Sequence, residues 1–154
     1  NLLSRTTAMV ARYRGGRLRA LPSPEGAVAA ALEPLADDVA ARLDGFDITG
    51  ALERIWDVVR ALNREVETTA PWQLAKDEAR ADDLDRVLYD LVDGLRAVAV
   101  ALSAYVPGTA TAILVALHQP ATIDWSHVAY GITGETEGIE AAPPLFPRLE
   151  SPTA

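Results

Sequence analysis

Leu84, Val87, Leu88, Leu91, Val92, Leu95, Val98, Ala99 and Leu102 recur at steps of three and four, and no other feature of the chain limits its fold as strongly. That spacing predicts one long amphipathic helix whose apolar stripe must be buried against something else. Asp82-Asp83 and Asp85 at its start suit the positive end of a helix dipole and read as a solvated first turn. A second stripe, Leu52, Ile55, Trp56, Val59, Leu62 and Val66, predicts a partner helix with Trp56 in the core. No run alternates apolar and polar residues, and no βαβ unit is visible. The expected fold is all-α, an antiparallel helical bundle with an irregular C-terminal tail, because each stripe can bury its face only against another helix. The composition agrees: 49% of the residues are hydrophobic, mostly Ala and Leu, and 6% are aromatic.

Shorter elements surround these two. A first helix is expected from Leu2 to Tyr13, ending at Gly15-Gly16. Leu2, Thr6, Met9, Val10 and Tyr13 point to one side of it, and Asn1, Ser4, Arg5, Ala8 and Arg12 to the other. Ser23 followed by Pro24 reads as an N-cap with Pro at the first helical position. That helix breaks before Pro34, resumes through Leu35, Val39 and Leu43, and stops near Gly45. Asp47 or Thr49 caps the next helix, Ala70-Pro71 ends it, and a short turn of helix starts at Trp72. Residues 97–123 carry no full charge, but Pro107-Gly108 splits them into two arms, too short for a bilayer, so no membrane partner is expected. The last arm runs from Thr109 to Leu117. The tail after His118 has no period and holds at most a short helix near Trp125. With 154 residues the chain suits one domain of ordinary size, read as a bundle over 1–118 and an extension over 119–154 that packs back on the body. A first residue that is not Met, running straight into a helical pattern, suggests a piece of a longer protein.

Many chemistries are excluded. Without cysteine there is no disulfide, zinc–thiolate site, iron–sulfur cluster or thiol nucleophile, a composition compatible with the cytosol. His118 and His127 lack carboxylate partners at metal-binding spacing, and Ser103 and Ser126 sit in no nucleophile-elbow context. Gly131-Ile132-Thr133-Gly134 has neither the preceding strand nor the lysine of a phosphate loop. No catalytic residue and no metal ligand is expected in this chain.

A recognition constellation is left. The net charge is −8, yet residues 1–19 hold Arg5, Arg12, Arg14, Arg17 and Arg19 with no acid, so a basic cap sits on an acidic body. Asn1 and Arg5, four apart, are neighbours on one face, and their amide and guanidinium suit the exposed edges of unpaired bases. Arg12 lies two turns further on, where it would meet a phosphate, and Arg14 and Arg17 would add attraction without sequence preference. The same spacing also suits an ordinary solvated face. Trp72 follows Pro71 at a helix boundary and lies outside both neighbouring stripes. It suits a stacking platform for one base, worth about 1–3 kcal/mol, and equally suits a cap on the core.

Four blocks then stand out in order. They are Asn1-Leu2-Leu3-Ser4-Arg5, then Ala51-Leu52 leading through Ile55-Trp56 to Asn63, then Ala70-Pro71-Trp72-Gln73-Leu74-Ala75-Lys76, and finally Pro144-Leu145-Phe146-Pro147-Arg148-Leu149-Glu150. Over nearly its whole length the chain resembles bacterial methionyl-tRNA synthetases. The resemblance implies the helical anticodon-binding domain of that enzyme, whose partner is the CAU anticodon loop of methionine tRNA. It implies that Asn1 and Arg5 contact anticodon bases, that Trp72 stacks on the first of them, and that Pro71 holds the indole in place. It also implies that the closing segment returns along the body and that the catalytic domain lies in cis, using ATP and Mg2+ to attach methionine in the cytoplasm. The chain itself needs no cofactor on this reading. Glu65 stands where family members commonly have Tyr, and the HIGH and KMSKS signatures, a zinc knuckle and an OB-fold extension are absent from this sequence. The rival readings are an acidic helical scaffold that binds a protein through 97–117, and the anticodon domain of another class I synthetase.

Overall fold

The apolar stripe from Leu84 to Leu102 forms the axle of the molecule. The computed structural model describes residues 1–146, and the Pro147-Arg148-Leu149-Glu150 part of the closing block lies outside them. Seven α-helices are found among the described residues: α1 (Leu2–Arg14), α2 (Ala27–Leu32), α3 (Leu35–Asp44), α4 (Ile48–Thr69), α5 (Pro71–Leu74), α6 (Ala81–Leu102) and α7 (Pro107–Ala116). Short 3₁₀ turns sit at Glu78–Arg80 and Trp125–His127. Helix α6 is buried along almost its whole length, and α1, α2, α4, α5 and α7 all pack against it. Gly94 on α6 permits the closest approach: a Cβ there would lie 2.5 Å from Leu62 of α4. The described residues contain no sheet, only an isolated antiparallel bridge between Leu18 and Thr136.

Local chemistry sets the boundaries. The Asp47 side chain accepts from the Gly50 amide at 2.9 Å and starts α4; that amide, with Arg42 beside it, holds the carboxyl below the usual carboxylate range. Pro34 separates α2 from α3 as expected. The expected cap at Ser23 is not used. The Ser23 amide donates to the Tyr130 hydroxyl at 2.6 Å and its carbonyl accepts from Gly26, so residues 23–26 form a turn and α2 starts only at Ala27. At the other end of α4, Pro71 lacks the N–H that another helical turn needs. Ala70 takes the left-handed conformation (φ 45°), the chain bends, and α5 begins with a buried proline.

The return segment is held by long-range pairs. The Ile139 amide donates to Gly16, the Ala142 amide donates to the Thr7 hydroxyl at 3.0 Å, and Val128 and Ile139 join the core. Asp93 and Arg96 on α6, both buried, bind the loop that follows Trp125–His127. Asp93 accepts from the amides of Gly131 (2.7 Å) and Thr133 (2.9 Å) and from the Thr133 hydroxyl. Arg96 donates to the carbonyls of His127 and Ala129. The glycine-rich turn therefore wraps a carboxylate of its own chain.

Candidate nucleic-acid interface

The bend at Ala70-Pro71 decides where Trp72 stands. Pro71 is buried while the next residue is 41% exposed, so a rigid, packed proline carries an open indole. Leu74, one turn on, anchors α5 in the core. No hydrogen bond occupies the indole N–H among the described residues.

Asn1 and Arg5 are also free. Asn1 is the N-cap residue of α1, but its side chain accepts no amide there; only its carbonyl enters the helix, at 3.0 Å from the Arg5 amide. Arg5 is exposed and forms no ion pair among the described residues. Arg12 is exposed too, its guanidinium 5.8 Å from the Tyr13 ring centroid. Among the described residues no hydrogen bond or ion pair joins Asn1 or Arg5 to Trp72. Asn1 borders a groove with Trp56 and Asn63, and Trp72 stands past the end of α4.

Much of the basic cap is committed elsewhere. Arg14 donates to Asp85 and to the Ala81 carbonyl, and Arg19 donates to Asp82 and Asp85, each at 2.7 Å. Arg19 holds the Asp82 carboxyl below its usual range. Arg17 lies 3.4 Å from Glu137. These contacts correct two expectations: Asp85 is a buried ion-pair partner, not part of a solvated start, and Arg14 fastens α1 to α6 instead of facing phosphate. Arg5 and Arg12 are the arginines of α1 left without an acidic partner among the described residues.

Trp56 is the third correction. Ile55, Val58, Leu62 and Val66 form the buried face of α4. Trp56, one step past Ile55, turns about 100° away and is 48% exposed. It lines an apolar groove of about 460 Å3 between α1, α4, α6 and α7, together with Leu52, Val59, Tyr105 and Phe146. The sequence signal for this groove was present: apolar residues on α4 occupy two adjacent stripes, more than one partner helix covers.

On the opposite side of α4, Glu65 faces a polar cleft of about 560 Å3 that also includes Gln73, Arg80, Arg86 and Asp90. Burial pushes the Glu65 carboxyl up. Asp90 is pushed up to about 6, mainly by burial, with Glu65 and Asp93 adding repulsion against the Tyr130 hydroxyl and the nearby Ser23 amide. Asp90 escaped the sequence reading because nothing local sets it apart from the other acids of α6. Among the described residues no group of three His, Cys, Asp or Glu side chains is placed to hold a metal ion, and no helix is long and apolar enough to cross a membrane.

The methionine–tRNA ligase of Deinococcus radiodurans is 35% identical to the chain over 153 residues, 97% of the chain and 22% of that enzyme. The Clostridium perfringens enzyme of the same name is 35% identical over 154 residues, covering 97% of the chain and 24% of its own length. Nearly the whole chain is thus similar to methionyl-tRNA synthetases. It spans about a quarter of the length of these relatives. Among solved structures, Mycobacterium tuberculosis methionyl-tRNA synthetase bound by methionyl-adenylate superposes with a TM-score of 0.80 at 28% identity, over 94% of this chain and 29% of that one. No protein-family profile matches the sequence. That solved synthetase shares the fold, and Trp72, Asn1 and Arg5 are among the polar and aromatic groups that the bundle leaves exposed.

Proposed function

We propose that this region reads the CAU anticodon loop of methionine tRNA for a longer methionine–tRNA ligase of the cytoplasm, whose catalytic part joins methionine to the tRNA with ATP and Mg2+. The observation that carries the reading is the exposed Trp72 ring held on buried Pro71. Trp72 stacks on one unpaired base, Asn1 and Arg5 meet base edges, and Arg12 meets a phosphate. On this reading residues 1–118 carry recognition and the 119–154 extension braces them.

The apolar groove lined by Trp56 is the face for the catalytic part in cis. Trp56 and Phe146 (75% exposed) are large apolar side chains without cover among the described residues, and the relatives are about four times the length of the chain.

Trp72→Ala in the full-length enzyme is expected to lower kcat/KM for tRNA charging by tenfold or more while methionine activation stays nearly unchanged. Equal loss in both steps makes Trp72 a structural residue. Titration with methionine tRNA against a tRNA of another identity, at two salt concentrations, tests the partner: a protein-binding scaffold shows no anticodon preference.

A further inference from the structure

The cleft behind Glu65 has a polarity that the anticodon reading leaves unused. At its inner end lies Asp90, 5% exposed. One of its oxygens accepts the Tyr130 hydroxyl. No second side chain donates to the carboxylate among the described residues, the Ser23 amide lies near it, and a Cβ on Gly26 would lie 3.8 Å from its other oxygen. Glu65, half-buried on the facing wall, has no cationic partner among the described residues either. Two acceptors thus share one space and repel each other. At the mouth two guanidiniums share one acid. Arg80 and Arg86 both reach Asp83, and their side chains are 53% and 50% exposed.

Acceptors within and guanidiniums at the rim call for a ligand with a donor at one end and an anion at the other. An inorganic anion alone would meet the carboxylates, and a bare ammonium would leave the arginines unused. A cavity of about 560 Å3 is within the usual range for small-ligand sites. Carboxylates accept from the N4 amino group of cytosine, and guanidinium groups bind phosphate. Gln73, which directly follows Trp72 on α5, lines the cleft.

We propose that this cleft takes one nucleotide whose base carries an exocyclic amino group (cytosine, adenine or guanine), with the amino group at Glu65 and Asp90 and the phosphate at Arg80 and Arg86. The assignment rests on the RNA-binding reading of Trp72 and adds a base-selective subsite to it. Uracil is rejected because its O4 would set a third acceptor against the two carboxylates.

The test uses the full-length protein and fluorescence anisotropy with stem–loop RNAs that carry cytosine, adenine, guanine or uracil at each loop position in turn. At one position the wild type is expected to prefer cytosine, adenine or guanine over uracil by about tenfold, the lower range for paired-donor base discrimination. Glu65→Gln and Asp90→Asn keep size and fold, checked by circular dichroism, and each is expected to bring that ratio to threefold or less. Free CMP and UMP as competitors separate the two sources of the ligand: competition by CMP alone assigns the cleft to a free nucleotide of the same chemistry, and no competition assigns it to a nucleotide within RNA. An unchanged ratio in both variants, or no preference in the wild type, overturns the subsite. If Trp72→Ala still weakens every RNA in that case, the anticodon reading stands and only the subsite falls; if Trp72→Ala has no effect, both fall.

Discussion

Asp93 and Asp90 project from α6 one turn apart, and their surroundings treat them differently. On the side of the return segment, Asp93 is met by two amides, a hydroxyl and the Arg96 guanidinium, so its charge is fully answered inside the protein. Asp90, in the cleft beside Glu65, has only the Tyr130 hydroxyl and the nearby Ser23 amide, and the Glu65 carboxylate opposes its charge. Burying a carboxylate is costly unless donors converge on it. The comparison teaches that the first site is a clasp that the chain completes itself, and that the second awaits something from outside.

The largest way to break this contrast is Asp93→Asn. It sets an amide against amide donors and leaves Arg96 buried without its anion, a defect typically worth about 3–5 kcal/mol. Urea denaturation should report that loss, and hydrogen exchange should show faster exchange at Gly131 and Thr133. Asp90→Asn is expected to act in the opposite direction. The folded-state pKa of Asp90 is raised from 3.8 to about 6, so the folded protein holds that proton more tightly than the unfolded chain does. Its destabilising charge therefore grows as pH rises from near 4 to near 6 and is full above that. The variant should be more stable by about 3 kcal/mol at pH 7 and by no more than about 0.5 kcal/mol at pH 4, as read from thermal melts at both values. Tyr130→Phe sharpens the comparison at a smaller scale. It removes the donor to Asp90 and the acceptor of the Ser23 amide, an expected loss of about 1 kcal/mol in the same melts. Arg86→Ala should change stability by no more than about 0.5 kcal/mol, because its pair with Asp83 is exposed. A larger loss would mean that the rim of the cleft is structural.

The legibility of the sequence followed the range of the interactions. Pro34, Pro71 and Asp47 marked helix ends because each acts on backbone groups within a turn of itself. Ser23 and Pro24 carried the same kind of signal and misled, since a hydroxyl 107 residues away took the Ser23 amide. Trp72 was legible because a proline fixed its place locally. Trp56 was misread because the stripe counted apolar residues and not the neighbours available to cover them. Arg14 and Asp85, 71 residues apart, formed one pair whose halves had been assigned separate surface roles.

Sequence by itself determined the helices, their order and the all-α architecture, because spacing along the chain sets which residues share a helical face and prolines set where that face ends. It also exposed the blocks on which the family resemblance rests. Tertiary structure decided which polar groups are spent and which are free: Arg14, Arg19, Asp85, Asp93 and Arg96 neutralise one another or the backbone, whereas Arg5, Glu65 and one oxygen of Asp90 do not. Charge pairing and burial depend on residues brought together from distant parts of the chain, and no local period encodes which of them will meet.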